Sequence, residues 1–567
     1  MMARQRDLDE AGTGQRDSVH GFRFTISMVA LAALVAGVVG AASPASSAAA
    51  TTRRPVVRVD SGLLRGMVAA DHRSFAGIPY AAPPVGVRRW SAPRPATRWR
   101  GVRDATRPGS SCPQLGGGGT VVGAEDCLYL NVTTPTVGAA RLPVLVWLPG
   151  GGFVTGAGSD YDPTRLAVTG GLVVVTVNYR LGALGFLDHP ALERTSPDAG
   201  NYGLADQRAA LGWVRRNIAR FGGDPANVTL AGQSAGGYSV CAQLASPIAA
   251  GLFRKAIVQS GPCGNPLLTR ATALSRGTRT AAELGCTDPA TSLACLRALP
   301  VDRLVGLGAD RVFTSTGRIA DLPWVPVTGT SVLPRQPLDA LRSGGAARVP
   351  LLIGTTRDEM RPFVALDHDA RGLPVTAESY PAELAAAFDD PDAVRARYPA
   401  SAYPSPGLAL ATALTDWGGK LGSCPSLAVA DGAVGGRHSP VHVYEFAEDG
   451  GAQIAGLPLG APHGAELPYL FDGPFDGPGD PKLTPAQQRL SRWMVGYWSA
   501  FAATGDPDRD RTGRNDGDTR PRWPAYRGDG RVLALASGPD GSSVVDAARA
   551  HHCTFWSAGA SVSRSRR

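Results

Sequence analysis

Short runs of β-branched and other apolar side chains recur along this chain, and each stops at a glycine-rich turn or a polar residue. Pro143 to Leu148 (PVLVWL) runs into Gly150-Gly151-Gly152, and Leu172 to Tyr179 (LVVVTVNY) is almost wholly apolar. A strand buried on both faces reads this way, without the alternation of a half-exposed one. Leu204 to Phe221 has helical spacing, with Leu204, Leu211, Val214 and Ile218 on one side and arginines elsewhere. Val228 to Ala231 then reads as a short strand, Gly232 to Gly236 as a turn and Gly237 to Leu244 as the start of a helix. Lys255 to Gln259, Val349 to Ile353 and Val441 to Phe446 repeat the strand pattern. Strands alternating with helices predict an α/β fold, a mostly parallel sheet covered on both faces. The long Pro-rich stretches from Pro266 to Arg348 and from Arg361 to Gly436 are expected as insertions capping that sheet. No fixed-period repeat and no Pro/Gly-rich linker divides the chain, so residues 51–567 read as one domain.

The first 50 residues have a different pattern. A polar segment with Arg4, Arg6, Arg16 and Arg23 precedes the apolar run Phe24 to Val39, and small residues follow from Ala41 to Ala50. This order predicts a secretory signal peptide over residues 1–50, hence a secreted protein. An uncleaved anchor is the alternative, because Thr25 to Ala42 contains no charge and approaches the length that spans a bilayer. Glycine and small residues at its exit favour cleavage, and no stable membrane insertion is expected.

Charge changes the picture little. The formal net charge is +9, but only three lysines occur among 57 basic residues, and the arginines are spread along nearly the whole chain. Nucleic-acid binding would need a basic stripe with interleaved aromatics, so that class is set aside. The eight cysteines matter more. In an oxidising compartment they form an even set open to pairing, with 105 connectivities allowed. Neither a C-x-x-C pair nor a Cys/His cluster of zinc spacing is present, so no metal site is expected.

Chemistry enters with Gly232-Gln233-Ser234-Ala235-Gly236, which fits G-x-S-x-G between an expected strand and an expected helix. In that setting a tight turn strains a serine into an exposed position at the edge of a sheet. The surrounding run, Phe221 to Gly236 (FGGDPANVTLAGQSAG), resembles the serine signature of the type-B carboxylesterases, a branch of the α/β-hydrolases. Glu125 to Val132 (EDCLYLNV) matches a second signature, and Phe75 to Pro84 and Asn178 to Gly185 extend the likeness over essentially the whole chain after the leader.

The resemblance implies an α/β-hydrolase fold, no cofactor, and an enzyme acting on small-molecule carboxylic esters. It implies Ser234 as nucleophile, Glu359 as the acid in preference to neighbouring Asp358, and His463 (in APHGAELPY) as the base. Gly151, Gly152 and Ala235 would donate their N–H groups to the oxyanion, and Phe153 next to them would face either the site or the core. Among cysteines it implies the pairs Cys112–Cys127, Cys286–Cys295 and Cys424–Cys553, and leaves Cys241 and Cys263 open between a bridge and two buried thiols. Three departures bear on substrate. Pro149 stands where many relatives carry histidine, Gln233 where many carry glutamate, and the Cys112–Cys127 loop is short and lacks tryptophan. The last two remove a carboxylate and an aromatic face that would attract a cation, so neutral esters are expected. Two other readings remain at this stage: hydrolysis of amides, carbamates or thioesters by the same groups, and a non-catalytic binding protein. The oligomeric state is not legible.

Overall fold

The computed structural model describes residues 55–136, 140–438, 440–473, 483–509, 520–538 and 541–557; the leader expected over residues 1–50 lies outside them. Eleven strands form one sheet: β1 (Met67–Val68), β2 (His72–Pro79), β3 (Tyr129–Pro135), β4 (Leu142–Leu148), β5 (Val173–Val177), β6 (Gly223–Gln233), β7 (Lys255–Gln259), β8 (Leu351–Thr356), β9 (Val441–Phe446), β10 (Arg531–Leu535) and β11 (Val544–Asp546). Their spatial order is β11-β10-β9-β8-β7-β6-β4-β5-β3-β2-β1. The seven strands from β5 to β10 in that order run parallel, and antiparallel β3, β2, β1 and β11 complete the two edges.

The continuous apolar runs follow from helices on both faces. In β4, Val144, Val146 and Leu148 join one core with Trp213 and Val214 of α1 (Tyr202–Asn217) and Val240 of α2 (Ala235–Ala245). Leu145 and Trp147 of the same strand join an opposite core with Met494, Trp498 and Phe501 of α5 (Pro485–Thr504). Each such side chain contributes about 1.5 to 3 kcal/mol through burial, and no face of the strand is left for polar residues.

The stretch Arg361 to Gly436 is only partly an insertion. Residues from Met360 to Leu421, including α3 (Pro406–Trp417), form most of a third hydrophobic cluster, which Leu457, Leu459 and Trp556 join. The last helix of the stretch, α4 (Ser423–Gly435), instead places Val429, Ala430 and Ala433 in the core that holds β8 and β9. The expected strand at Val349 also begins later and continues to Thr356, because pairing with β9 extends through Thr356.

Candidate active site

Ser234 sits between β6 and α2 with φ 57° and ψ −123°. A non-glycine residue held there stores about 1 to 3 kcal/mol, so the surroundings must impose the turn. The Ser234 N–H donates to the Gln259 carbonyl of β7 (2.9 Å), and its carbonyl accepts from Tyr238 N in the first turn of α2 (2.9 Å). Gly236 lets that helix lie against β4: a Cβ there would fall 2.0 Å from the Leu148 carbonyl oxygen.

Beyond β4, Gly151 and Gly152 turn with φ 106° and 59°. A Cβ on Gly151 would meet the Thr155 carbonyl oxygen at 2.3 Å. Pro149 keeps a role through its carbonyl, which accepts from the Tyr179 hydroxyl (2.8 Å). Gln114 braces the same loop, its Oε1 accepting from Gly156 N (2.8 Å) and Thr155 Oγ1 (2.5 Å). Among the described residues none accepts a hydrogen bond from the Gly151, Gly152 or Ala235 N–H, and Ala235 opens α2, where the helix dipole adds positive potential.

The loop after β8 carries two carboxylates with different partners. Glu359, fully buried, accepts from Thr356 N (3.0 Å) through Oε1 and meets His463 Nδ1 at 2.5 Å through Oε2. Asp358 pairs with Arg357 (3.0 Å) and Arg361 (2.7 Å) and accepts from Ala461 N (2.9 Å), bracing the histidine loop. The His463 side chain is 14% exposed. Burial pushes its ionisation down, but the Glu359 charge and hydrogen bond, with Glu466 behind, hold it above the ordinary imidazole value. Its Nε2 faces the Gln233 amide nitrogen at 3.1 Å. Among the described residues that is the hydrogen bond at Nε2; the Ser234 hydroxyl does not make one in this conformation.

Sequence reasoning gave Glu466 no role, although it stands three residues after His463 in the same motif. It is fully buried; Oε1 accepts from Gln259 Nε2 (3.1 Å), and among the described residues Oε2 has no partner. Burial and the neighbouring Glu359 charge push its carboxyl up to about 7.

A cavity of about 710 Å³ joins Ser234, His463 and the glycine turn. Its walls are largely apolar, with Leu115, Phe153, Val312, Phe313 and Phe363 among them. Phe153 resolves as both wall and core, since it is fully buried with its ring 5.0 Å from Phe186. Lys420 also lines the cavity, and its ammonium is held by the Arg311 carbonyl (3.2 Å), the Thr314 carbonyl (3.0 Å) and Thr314 Oγ1 (2.7 Å). Burial lowers its ionisation to about 8. Sequence reasoning did not find this lysine, nor Val312 and Phe313, which come from an insertion without periodicity.

All eight cysteines are paired. The three expected pairs come together, Cys112 with Cys127, Cys286 with Cys295 and Cys424 with Cys553, and Cys241 of α2 pairs with Cys263. No group of three or more metal-ligating side chains occurs among the described residues, and none of their helices is long and apolar enough to cross a membrane.

Comparison with known proteins gives consistent matches. The model of the carboxylesterase family matches residues 53–556. The para-nitrobenzyl esterase of Bacillus subtilis (strain 168) is 36% identical over 498 residues, covering 85% of this chain and 94% of that protein. The fumonisin B1 esterase of Sphingopyxis macrogoltabida is 36% identical over 508 residues, covering 86% and 88%. The phenmedipham hydrolase of Pseudarthrobacter oxydans is 34% identical over 521 residues, covering 88% and 98%. A solved PNB esterase structure superposes with a TM-score of 0.71 at 34% identity, covering 89% of this chain and 100% of that one.

Proposed function

Since this chain belongs to the carboxylesterase family, has the α/β-hydrolase fold and is a carboxylic ester hydrolase, we propose that Ser234, His463 and Glu359 are its catalytic triad and that its substrates are neutral esters. The observation that carries this reading is the convergence of the strained Ser234, the Glu359–His463 bond and the Gly151–Gly152 turn on one apolar-walled cavity.

Ester cleavage by these groups proceeds in two halves. As Ser234 Oγ attacks the carbonyl carbon, its proton passes to His463 Nε2, and Glu359 stabilises the imidazolium through Nδ1–H. The carbonyl oxygen becomes an oxyanion facing the N–H groups of Gly151, Gly152 and Ala235. Collapse expels the alcohol, which takes the proton from Nε2 and leaves an acyl-enzyme. Water then attacks the acyl carbon with His463 as base, and the carboxylic acid departs with Ser234 restored.

Neutral substrates suit the wall. The Lys420 ammonium is engaged by loop oxygens, and the side chain beside the nucleophile is an amide. Secretion is part of the same proposal, supported by the leader pattern of residues 1–50 and by four disulfides. The test is hydrolysis of para-nitrophenyl esters of increasing acyl length against matched para-nitroanilides. Ester turnover that exceeds anilide turnover and disappears in Ser234→Ala is expected; anilide turnover equal to or above that of the esters would overturn the substrate assignment.

A further inference from the structure

Glu359 engages one ring nitrogen of His463; the other, Nε2, is the nitrogen the proposed reaction uses. The Gln233 amide nitrogen lies against it at 3.1 Å. Gln233 is the last residue of β6, 4% exposed and paired in register with Gln259 of β7. Its side chain therefore reaches the imidazole from a rigid element.

With Glu359 accepting from Nδ1–H, the neutral ring presents a lone pair at Nε2, and a donor must face it. A carboxamide supplies one. If the ring takes a second proton, Nε2–H needs an acceptor, and the amide meets that need by turning over. An ionised carboxylate can serve only the second state, where it would hold the imidazolium as an ion pair and withhold the base. The charged groups already facing the ring are Glu359 at Nδ1 and Glu466 behind it, while Asp358 is committed to Arg357 and Arg361 and Phe363 covers one side at 5.8 Å. A carboxylate at position 233 would be a third negative charge on one imidazole.

Resting on the triad reading, we propose that Gln233 is a positioning residue: its amide N–H holds resting His463 as the neutral Nδ1–H imidazole and yields Nε2 to the Ser234 hydroxyl when substrate binds. Gln233 then acts through His463 and does not touch the ester.

The test follows kcat/KM from pH 5 to 10 in the wild type, Gln233→Glu and Gln233→Met, with fluorophosphonate titration of active serine at each pH. The acid limb of Gln233→Glu is expected about 1 to 3 pH units above that of the wild type. The ratio of kcat/KM at pH 6 to that at pH 9 then falls about tenfold or more, whereas in Gln233→Met the limb moves less than half as far. An unmoved limb in Gln233→Glu, or equal displacement in both variants, overturns the proposal. A second measurement does not need the charged variant: in histidine labelled with nitrogen-15 at pH 9, the His463 Nε2 resonance is expected to move on going from wild type to Gln233→Met, and an unchanged resonance overturns it. Ser234-specific labelling with an unmoved limb would sink the role of Gln233 alone, while labelling indifferent to Ser234→Ala would sink the triad.

Discussion

Asp358 and Glu359 are adjacent carboxylates with opposite duties, because the turn after β8 sends one toward Arg357 and Arg361 and the other toward His463. Glu359→Gln leaves the shape but removes the charge that stabilises the imidazolium, so kcat is expected to fall by about 10⁴. Asp358→Asn should act mainly on stability, and comparing kcat with the thermal midpoint separates the two. Glu466 adds negative potential to His463; Glu466→Gln is therefore expected to move the acid limb of kcat/KM to lower pH, and an upward move would contradict the assignment. Gly151→Ala must displace the Thr155 carbonyl or the turn itself. Losing a donor to the oxyanion lowers kcat by about 10²- to 10³-fold, readable in ester hydrolysis with the fold intact by circular dichroism. The roles proposed for Ser234, Glu359 and His463 could be assigned from the sequence because each residue sits in a motif whose turn or loop specifies it. The Gln233–His463 contact was not, since an amide meeting an imidazole 230 positions away leaves no local pattern.

At the scale of elements, the parallel centre of the sheet was legible and its antiparallel side was not. β4 (LPVLVWL) and β5 (VVVTV) are almost unbroken apolar runs and β7 (KAIVQ) keeps an apolar centre, whereas β2 (HRSFAGIP) and β3 (YLNVTTP) mix polar and apolar residues, and their pairing shifts register between Phe75 and Ile78. Helix α5 is clear only once the opposite core requires it. The C-terminal segment shows a staple that motif reasoning does not reach. His551 offers Nδ1 to Asp416 of α3 and Nε2 to Glu445 of β9, each at 2.6 Å, and both residues are buried. Burial opposes its charge, but the two carboxylates, Glu445 foremost, push the imidazolium up to about 10 from 6.5. Its contribution to stability is thus complete below about 6.5 and is lost as pH rises through about 10. His551→Ala is expected to destabilise by about 3 to 5 kcal/mol at pH 7, with the gap to wild type in urea unfolding narrowing above pH 10. An equal gap at both pH values would argue for packing alone. The Cys112–Cys127 bridge closes the loop that places Gln114 and Leu115 at the cavity, so Cys112→Ala/Cys127→Ala is expected to raise KM more than it lowers kcat.

Across the whole molecule, one chain of 567 residues divides into a leader proposed over residues 1–50 and a catalytic domain proposed over residues 51–567, the latter built as two cores on one sheet with a third cluster beside them. The insertion boundaries were the least legible feature: α4 returns to the sheet without a composition change to announce it, because its burial depends on β8 and β9 being there first. If the leader is cut as proposed, N-terminal sequencing of protein from the culture medium should begin near residue 51, and an intact leader on the secreted form would contradict it. Ser234, just after β6, is the one residue proposed to carry the covalent chemistry. The most direct test of that role is the reaction of purified protein with a fluorophosphonate probe, followed by mass spectrometry of the peptides. Stoichiometric adduct on Ser234, none in Ser234→Ala and slow formation in His463→Ala are expected; an adduct on another residue, or one that persists in Ser234→Ala, would contradict that role.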